Sequence, residues 1–203
     1  MFYGSILLLR RDLEAHAFYA DFPNTRQGRQ LVWLRFPFND EPVIVSTAHL
    51  ESTRPEVSRR CDQLHMVVQL LQTQAVKHAF FMGDNNFDVR GETGAISKEE
   101  SVVLSYNTMM RDVWTLCNPM DMGYTEDGEL NKLLALTRPE KRSVKVRFDR
   151  IFYCCFDPRL WDRFTPRSME LLGTQPLPGK PQIHISDHFG LIAILDVAKR
   201  VAQ

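Results

Sequence analysis

A chain of 203 residues is long enough to bury a substantial core, and 44% hydrophobic with 25% charged residues is the balance of a folded globular domain, which excludes disorder as the dominant state. Lysine and arginine together number 25, as do aspartate and glutamate, so no net field draws the protein toward nucleic acid or anionic lipid. The longest apolar stretches, Gly4 to Leu9 and Val43 to Val45, fall far short of the ~20 residues of a membrane-spanning helix.

The opening segment, Met1 to Arg11, is apolar but has neither a leading basic region nor a small-residue cleavage site, and reads as a core strand rather than a signal peptide. Leu31–Phe36 and Val43–Thr47 are β-branched and aromatic, and read as strands. A helix follows, with Ser52 or Thr53 as N-cap and Pro55 in the first turn, where its missing N–H costs nothing. Val57, Cys61, Leu64, Val68 and Leu71 form its buried stripe, with Arg59 and Gln63 off it. After a strand at Ala79–Met82, Ser97 caps a second helix with Glu100 completing a capping box, and Val102, Val103, Tyr106 and Met110 supply its apolar face. Polar loops at Met120–Asn131 and Pro176–Pro181 flank two further strands, Val146–Tyr153 and Leu191–Asp196. No repeat or linker interrupts the order, so residues 1–203 read as one mixed α/β domain. Cys61, Cys117, Cys154 and Cys155 show no Cys-x-x-Cys spacing and read as buried thiols of a reducing compartment.

Three polar segments stand at strand ends. Gly83-Asp84-Asn85-Asn86 closes the strand at Ala79–Met82: an ionised Asp84 suits a general base, and Asn86 can donate its amide to a phosphate oxygen. The plainer reading is a turn in which Asp and Asn bond their own backbone. Ser186-Asp187-His188 precedes the last strand, and because adjacent residues of an extended chain point to opposite sides, His188 needs a carboxylate from elsewhere. Asp149, in the apolar strand around Phe148 and Ile151, is the candidate, as an unpaired charge there would be costly; a structural ion pair is the alternative. The third segment, His49-Leu50-Glu51-Ser52-Thr53-Arg54, offers an imidazole and a guanidinium to phosphate, or else a helix cap and a solvated charge. Arg138 to Arg150 is the most basic stretch, either a polyanion-facing strip or a solvated loop entering a strand. A carboxylate, a carboxamide and an Asp-His pair delivered together point to metal-assisted phosphodiester hydrolysis.

Taken together, His49 to Arg54, Gly83 to Asn86, Arg147 to Phe152 and Ser186 to His188 resemble the endonuclease/exonuclease/phosphatase superfamily, and within it the branch that hydrolyses 5′-tyrosyl-DNA bonds. The phrases Asp112-Val113-Trp114 and Pro166 to Gly173 are similar to that branch as well, so the resemblance runs from about Phe2 to Val197. It implies a four-layer α/β/β/α sandwich of the DNase I-like kind, with the site at one edge of two packed sheets. It implies a magnesium-dependent (or manganese-dependent) phosphodiesterase of DNA repair, acting on DNA 5′ ends that bear a phosphotyrosyl peptide and binding single-stranded DNA. By the same resemblance Asp84 performs acid-base chemistry and Asn86 binds the scissile phosphate. His188 stabilises the transition state, Asp149 orients it, and Asp187 supports the site. His49, Leu50, Glu51, Ser52, Thr53 and Arg54 line the DNA path, and Phe148 forms an apolar wall beside the 5′ nucleotide, with core packing as its plainer role. A monomer placed in nucleus and cytoplasm, with no membrane association, completes the expectation.

Departures from the family pattern carry expectations of their own. The family's strand-helix-strand that ends in a Gln-Glu pair, whose Glu is the principal magnesium ligand, aligns upstream of Met1, so the sequence reads as truncated at its N-terminus and its metal ligand stays unassigned. Glu126 stands where the family has a DNA-contacting Trp and is expected to repel a phosphate backbone. Phe189 replaces another Trp, a change that packing absorbs. Two other functions fit the same sequence: an inactive remnant that binds DNA ends or a protein partner, or a phosphodiesterase of the superfamily acting on an inositol phosphate or sphingolipid.

Overall fold

The computed structural model describes residues 4–91 and 94–198. Six strands make the central sheet: β1 (His16–Asp21), β2 (Gln30–Phe38), β3 (Glu41–Ala48), β4 (His78–Asp84), β5 (Met110–Asp112) and a later strand, Asp149–Cys155. Their spatial order is β1-β2-β3-β4, then Asp149–Cys155, then β5. Asn39 and Asp40, both at positive φ, join β2 to β3, a conformation in which the turn's twist matches that of the strands. β3 runs parallel to β4 because α1 (Val57–Thr73) crosses between them. Both faces of the sheet are covered, which is why these strands read as near-continuous apolar runs.

On one face, Leu64, Val67, Val68 and Leu71 of α1 pack with Val103 of α2 (Lys98–Ser105) onto Leu31, Ile44, Phe81 and Phe152. Pro55 lies in a short 3-10 turn that leads into α1, and neither Ser52 nor Thr53 caps it through a side chain. Gln63 is buried, not off the stripe as its polarity suggests, because it joins a hydrogen-bonded group around Glu51. Ser97 does cap α2, accepting from the Glu100 backbone N–H at 3.1 Å. The capping box stays half-made, since the Glu100 carboxylate turns instead to Arg150. Met110, expected on this helix, lies in β5, beyond a break at Tyr106.

After β5 come α3 (Val113–Cys117), β6 (Glu126–Asp127), α4 (Lys132–Thr137) and β7 (Lys145–Val146). Asp149–Cys155 is β8, followed by β9 (Phe164–Leu172) and β10 (Gly190–Val197). β6 pairs with β7, and β9 pairs with β10. Phe164 and Met169 of β9, with Leu191, Ala193 and Leu195 of β10, close over Phe36, Val43, Phe80 and Tyr153 on the second face of the central sheet. β9 is hidden in the sequence because Pro166, Arg167 and Glu170 interrupt its apolar alternation. The result is a mixed α/β sandwich of helices, a six-stranded sheet and a facing two-stranded sheet, as the sequence leads one to expect.

The opening segment is the main correction. Residues 4–10 form no strand, and Ile6 and Leu8 are 76% and 85% exposed. They pair with no neighbouring strand, and an apolar run without a ladder partner has nothing to satisfy its backbone; Met1 to Tyr3 lie outside the described residues. Of the cysteines, Cys154 and Cys155 are buried and Cys61 and Cys117 half-buried, all as free thiols. No helix among the described residues is long and apolar enough to cross a membrane.

Candidate active site

The site grows from the neighbouring ends of β3, β4 and β8. Asp84, last in β4, sits directly across from Asp149, first in β8. Where β3 ends, the Leu50 backbone N–H donates to the Asp84 carbonyl at 2.9 Å, which keeps His49 beside the carboxylate. This closeness depends on Gly83, at φ 132°, because a Cβ there would collide with the Ala48 carbonyl and come within 3.1 Å of Thr47 Oγ1. Gly83→Ala is expected to destabilise the fold by more than ~1 kcal/mol, read as a lower urea midpoint at unchanged slope.

His49 Nε2 lies 3.2 Å from Asp84 Oδ2. Burial, helped by Arg29, holds the His49 pKa down at about 4, so at neutral pH the imidazole beside Asp84 is neutral. Burial, then the facing Asp149, pushes Asp84 up to about 6. A carboxylate with its pKa just below neutrality is ionised at pH 7 and still basic enough to take a proton. Asn86 adopts φ 53°, accessible to Asn, which lets its backbone N–H reach Asp84 Oδ1 at 2.9 Å. Its amide Nδ2 donates to the Leu50 carbonyl at 3.0 Å and faces Ser52 Oγ at 3.3 Å, tying the two segments together.

His188 completes the edge. Its Nδ1 is 2.8 Å from Asp149 Oδ2, the pairing that the sequence suggests. Its Nε2 is 3.4 Å from Glu126 Oε2. Burial disfavours the imidazolium, but hydrogen bonds to Asp149 and Glu126 outweigh it and carry the pKa up to about 10. The ring is therefore a cation with both N–H groups committed. Phe148 is half-buried on the cleft wall and not in the core, with Lys141 Nζ 5.7 Å from its ring centroid and the His188 ring at 6.3 Å.

These groups line one cleft of about 1230 Å³. It brings together Asp84, Asn86, Asp149, Asp187, His188, Phe148, His49, Ser52, Thr53 and Arg54. Leu50 and Glu51 do not reach it. Leu50 is core, and the buried Glu51 carboxylate instead holds the backbone N–H groups of Arg26 and Gln27 and the Thr25 hydroxyl, pinning a neighbouring loop. Thr53, a β-branched residue at φ 77°, is strained where it faces the cleft, its carbonyl held by Arg60 at 2.6 Å. Asp187 points to Arg138 at 3.5 Å near the mouth.

The basic stretch divides in two. Arg138 and Lys141 line the cleft, whereas Arg147 and Arg150 are buried on Asp112 and Glu100 beneath it. Glu126, expected to repel a phosphate backbone, stands in the cleft lining but is only 1% exposed, engaged by His188 and by Lys141 at 2.7 Å. Sequence reasoning missed this role, and that of Thr125, whose hydroxyl accepts from the Phe148 and Asp149 backbone N–H groups. The three consecutive polar residues Thr125 to Asp127 read as part of the Met120–Asn131 loop, with no periodicity to mark the strand at Glu126–Asp127. Phe189 is buried against His184, as a size-reducing replacement absorbed by packing should be.

Among the described residues no group of three or more His, Cys, Asp or Glu could hold a metal ion. The three carboxylates nearest His188 and His49 already have partners, Asp84 beside His49, Asp149 on His188, and Glu126 on His188 and Lys141. A magnesium ion, which prefers free carboxylate oxygens in octahedral geometry, does not fit this donor set.

The cleft gathers Asp84, Asn86, Asp149 and His188 at one sheet edge of a mixed α/β sandwich, a fold that the chain shares with solved proteins of the endonuclease/exonuclease/phosphatase superfamily. The endonuclease/exonuclease/phosphatase from Bacteroides vulgatus has the same fold, with a TM-score of 0.63 at 14% identity over 93% of this chain and 68% of that one. Within the superfamily the chain is similar to tyrosyl-DNA phosphodiesterase 2: the human protein is 33% identical over 180 residues, which are 87% of this chain and 45% of the human one. The Danio rerio enzyme, solved with a single-strand DNA product, superposes with a TM-score of 0.70 at 24% identity over 91% of this chain and 69% of that chain. The chain thus spans less than half the length of the human relative. No protein-family model matches it.

Proposed function

We propose that the chain carries the catalytic edge of a phosphodiesterase that hydrolyses the bond between a tyrosine and a DNA 5′ end. The observation that carries this reading is the placing of Asp84 directly across from Asp149 at the paired ends of β4 and β8, with His188 held on Asp149 at 2.8 Å, so that a carboxylate and an oriented imidazole share one cleft. Asp84 takes the proton of the attacking water. His188, oriented by Asp149, faces the charge that builds on the phosphoryl oxygens in the transition state. Asn86 closes the phosphate site against Ser52, and Phe148 offers a face to the terminal base, with Arg54, Arg138 and Lys141 lining the cleft along which the strand would lie. The single-strand product of the Danio rerio relative supports DNA as the substrate class. Nuclear and cytoplasmic placement and action as a monomer belong to the proposal through the resemblance; the magnesium dependence that the resemblance implies is left to the chelator arm of the test below, and no step above is routed through a metal.

The test is release of tyrosine from a 5′-phosphotyrosyl single-stranded oligonucleotide, with magnesium and with a chelator in separate arms. Release confined to such 5′ ends supports the reading; hydrolysis of an inositol phosphate or sphingolipid in its place would overturn it. The engaged carboxylates of the cleft favour a second reading, capture of DNA ends without turnover, and binding of the oligonucleotide without tyrosine release in either arm selects it. The pH profile follows from the two perturbed groups. Activity is expected to rise as Asp84 ionises through about pH 6 and to fall as His188 deprotonates through about pH 10. His188 has a folded pKa above its unfolded value, so its contribution to stability is complete below about pH 6.5 and is also lost on approaching pH 10. A profile flat between pH 5 and 8 would remove Asp84 from the chemistry.

A further inference from the structure

The nitrogen of His188 that does not bind Asp149 is the one a ligand in the cleft would have to engage, and in this structure it faces a carboxylate. Glu126 Oε2 stands 3.4 Å from Nε2, while Oε1 takes the Lys141 ammonium at 2.7 Å. The backbone around Glu126 is fixed. The Thr125 N–H donates to the Val146 carbonyl at 3.0 Å, the Thr125 carbonyl accepts from the Phe189 N–H at 2.7 Å, and the Gly128 N–H donates to the Val144 carbonyl at 2.9 Å. The carboxylate is therefore delivered to the cation pair by the fold, in a buried position where its charge is weakly screened. Both of its partners are the donors that a phosphoryl oxygen on this side of the cleft would use.

We propose that Glu126 is an internal counter-anion of the phosphate site, which weakens binding of a phosphate there and weakens it most for a dianionic terminal phosphate. The inference rests on the reading of the cleft as a phosphodiesterase site and deepens it. Repulsion scales with ligand charge, so a carboxylate within a few ångströms opposes a 5′-monophosphate, of charge near −2, more than a diester of charge −1. Hydrolysis of a 5′ diester turns the second into the first. Glu126 thus favours departure of the product while leaving the substrate less affected, and it does so without entering the bond-making step.

The experiment compares wild type with Glu126→Gln for binding of one oligonucleotide carrying a 5′-phosphate, a 5′-phosphate methyl ester, or a 5′-hydroxyl. Gln keeps the shape and an acceptor for Lys141. The 5′-phosphate is expected to bind the variant at least about tenfold more tightly, the ester to gain less, and the hydroxyl to be unchanged. An equal gain for all three ends, or no gain for the phosphate, would overturn the proposal. If neither protein distinguishes a 5′-phosphate from a 5′-hydroxyl, the reading of the cleft falls and this inference with it. Should Glu126→Gln fail to fold, Lys141→Met at the half-buried partner tests the same pair: selective loss of affinity for the 5′-phosphate supports the proposal, and unchanged affinity contradicts it.

Discussion

Asp84→Asn is expected to lower the rate constant for tyrosine release by about 10²–10⁴-fold with little change in KM. Asn has the shape of Asp, and its carbonyl can still accept from the Asn86 N–H, so the cleft keeps its form. What disappears is a group able to take a proton from water. The same substitution has an opposite effect on stability. Asp84 has a folded pKa of about 6, above its unfolded value, because burial and then Asp149 penalise the charge. Ionisation therefore costs stability progressively as pH rises from about 4 to 6, and replacing the carboxylate is expected to restore up to about 3 kcal/mol at pH 7 and nothing below pH 4. An inactive but more stable protein would mark Asp84 as a group kept for chemistry at the expense of the fold. Equal rates for wild type and variant would end its role as base, and a destabilised variant at pH 7 would contradict the account of its environment.

The second large effect lies beneath the cleft. Arg150 is 1% exposed and joins Glu100 at 2.6 Å to Asp112 at 2.8 Å, with Arg147 also on Asp112 at 2.7 Å. Burial alone would depress the charge on each group, but the opposed charges more than reverse that, raising Arg150 and lowering Asp112. Arg150→Met fills a similar space but leaves the Glu100 carboxylate buried without a cation, a change that costs about 3–5 kcal/mol. In a domain of this size the melting temperature should fall by about 10 °C or more. Asp112 gives a second signature. With its folded pKa depressed, the stability it contributes is present above about pH 4 and lost as pH falls further, so the gap between wild type and variant should narrow in acid. A variant within about 0.5 kcal/mol of wild type by urea unfolding would show that this network specifies geometry and contributes no stability. Because Arg150 and Arg147 flank Phe148 and Asp149 in sequence, the network also anchors the strand end that orients His188.

Much of this site was legible because strand ends are legible. An apolar run followed by Gly-Asp-Asn-Asn shows where a strand stops and which polar groups it delivers, and the pairing of His188 with Asp149 follows from the cost of an unpaired carboxylate in an apolar strand. The helix beginning after Pro55 and the Ser97 cap were equally local, set by residues within one turn of each other. Contacts between distant segments were not. Glu51 reads like its neighbours in the His49 to Arg54 segment, yet it lies beyond the end of β3 and its carboxylate is taken by donors from distant segments, Thr25 to Gln27 and Gln63, so it ends in a buried hydrogen-bond group while His49 lines the cleft. Arg147 and Arg150 carry the same charge as Arg138 and Lys141, and nothing along the chain says which pair is buried.

The sequence by itself determined the mixed α/β class, the strand ends that carry Asp84, Asn86, Asp149 and His188, and the likeness to the superfamily, since each depends on periodicity or on motifs only a few residues long. Beyond the His188–Asp149 pair, tertiary structure alone decided the partners of the charges. It placed Glu126 on His188 and Lys141, made Arg150 the centre of a buried network, and left Ile6 and Leu8 without a sheet to join. The physical reason is range: hydrophobic patterning and turn chemistry act within a few residues, whereas the fate of a buried charge depends on which oppositely charged group the fold brings within about 4 Å.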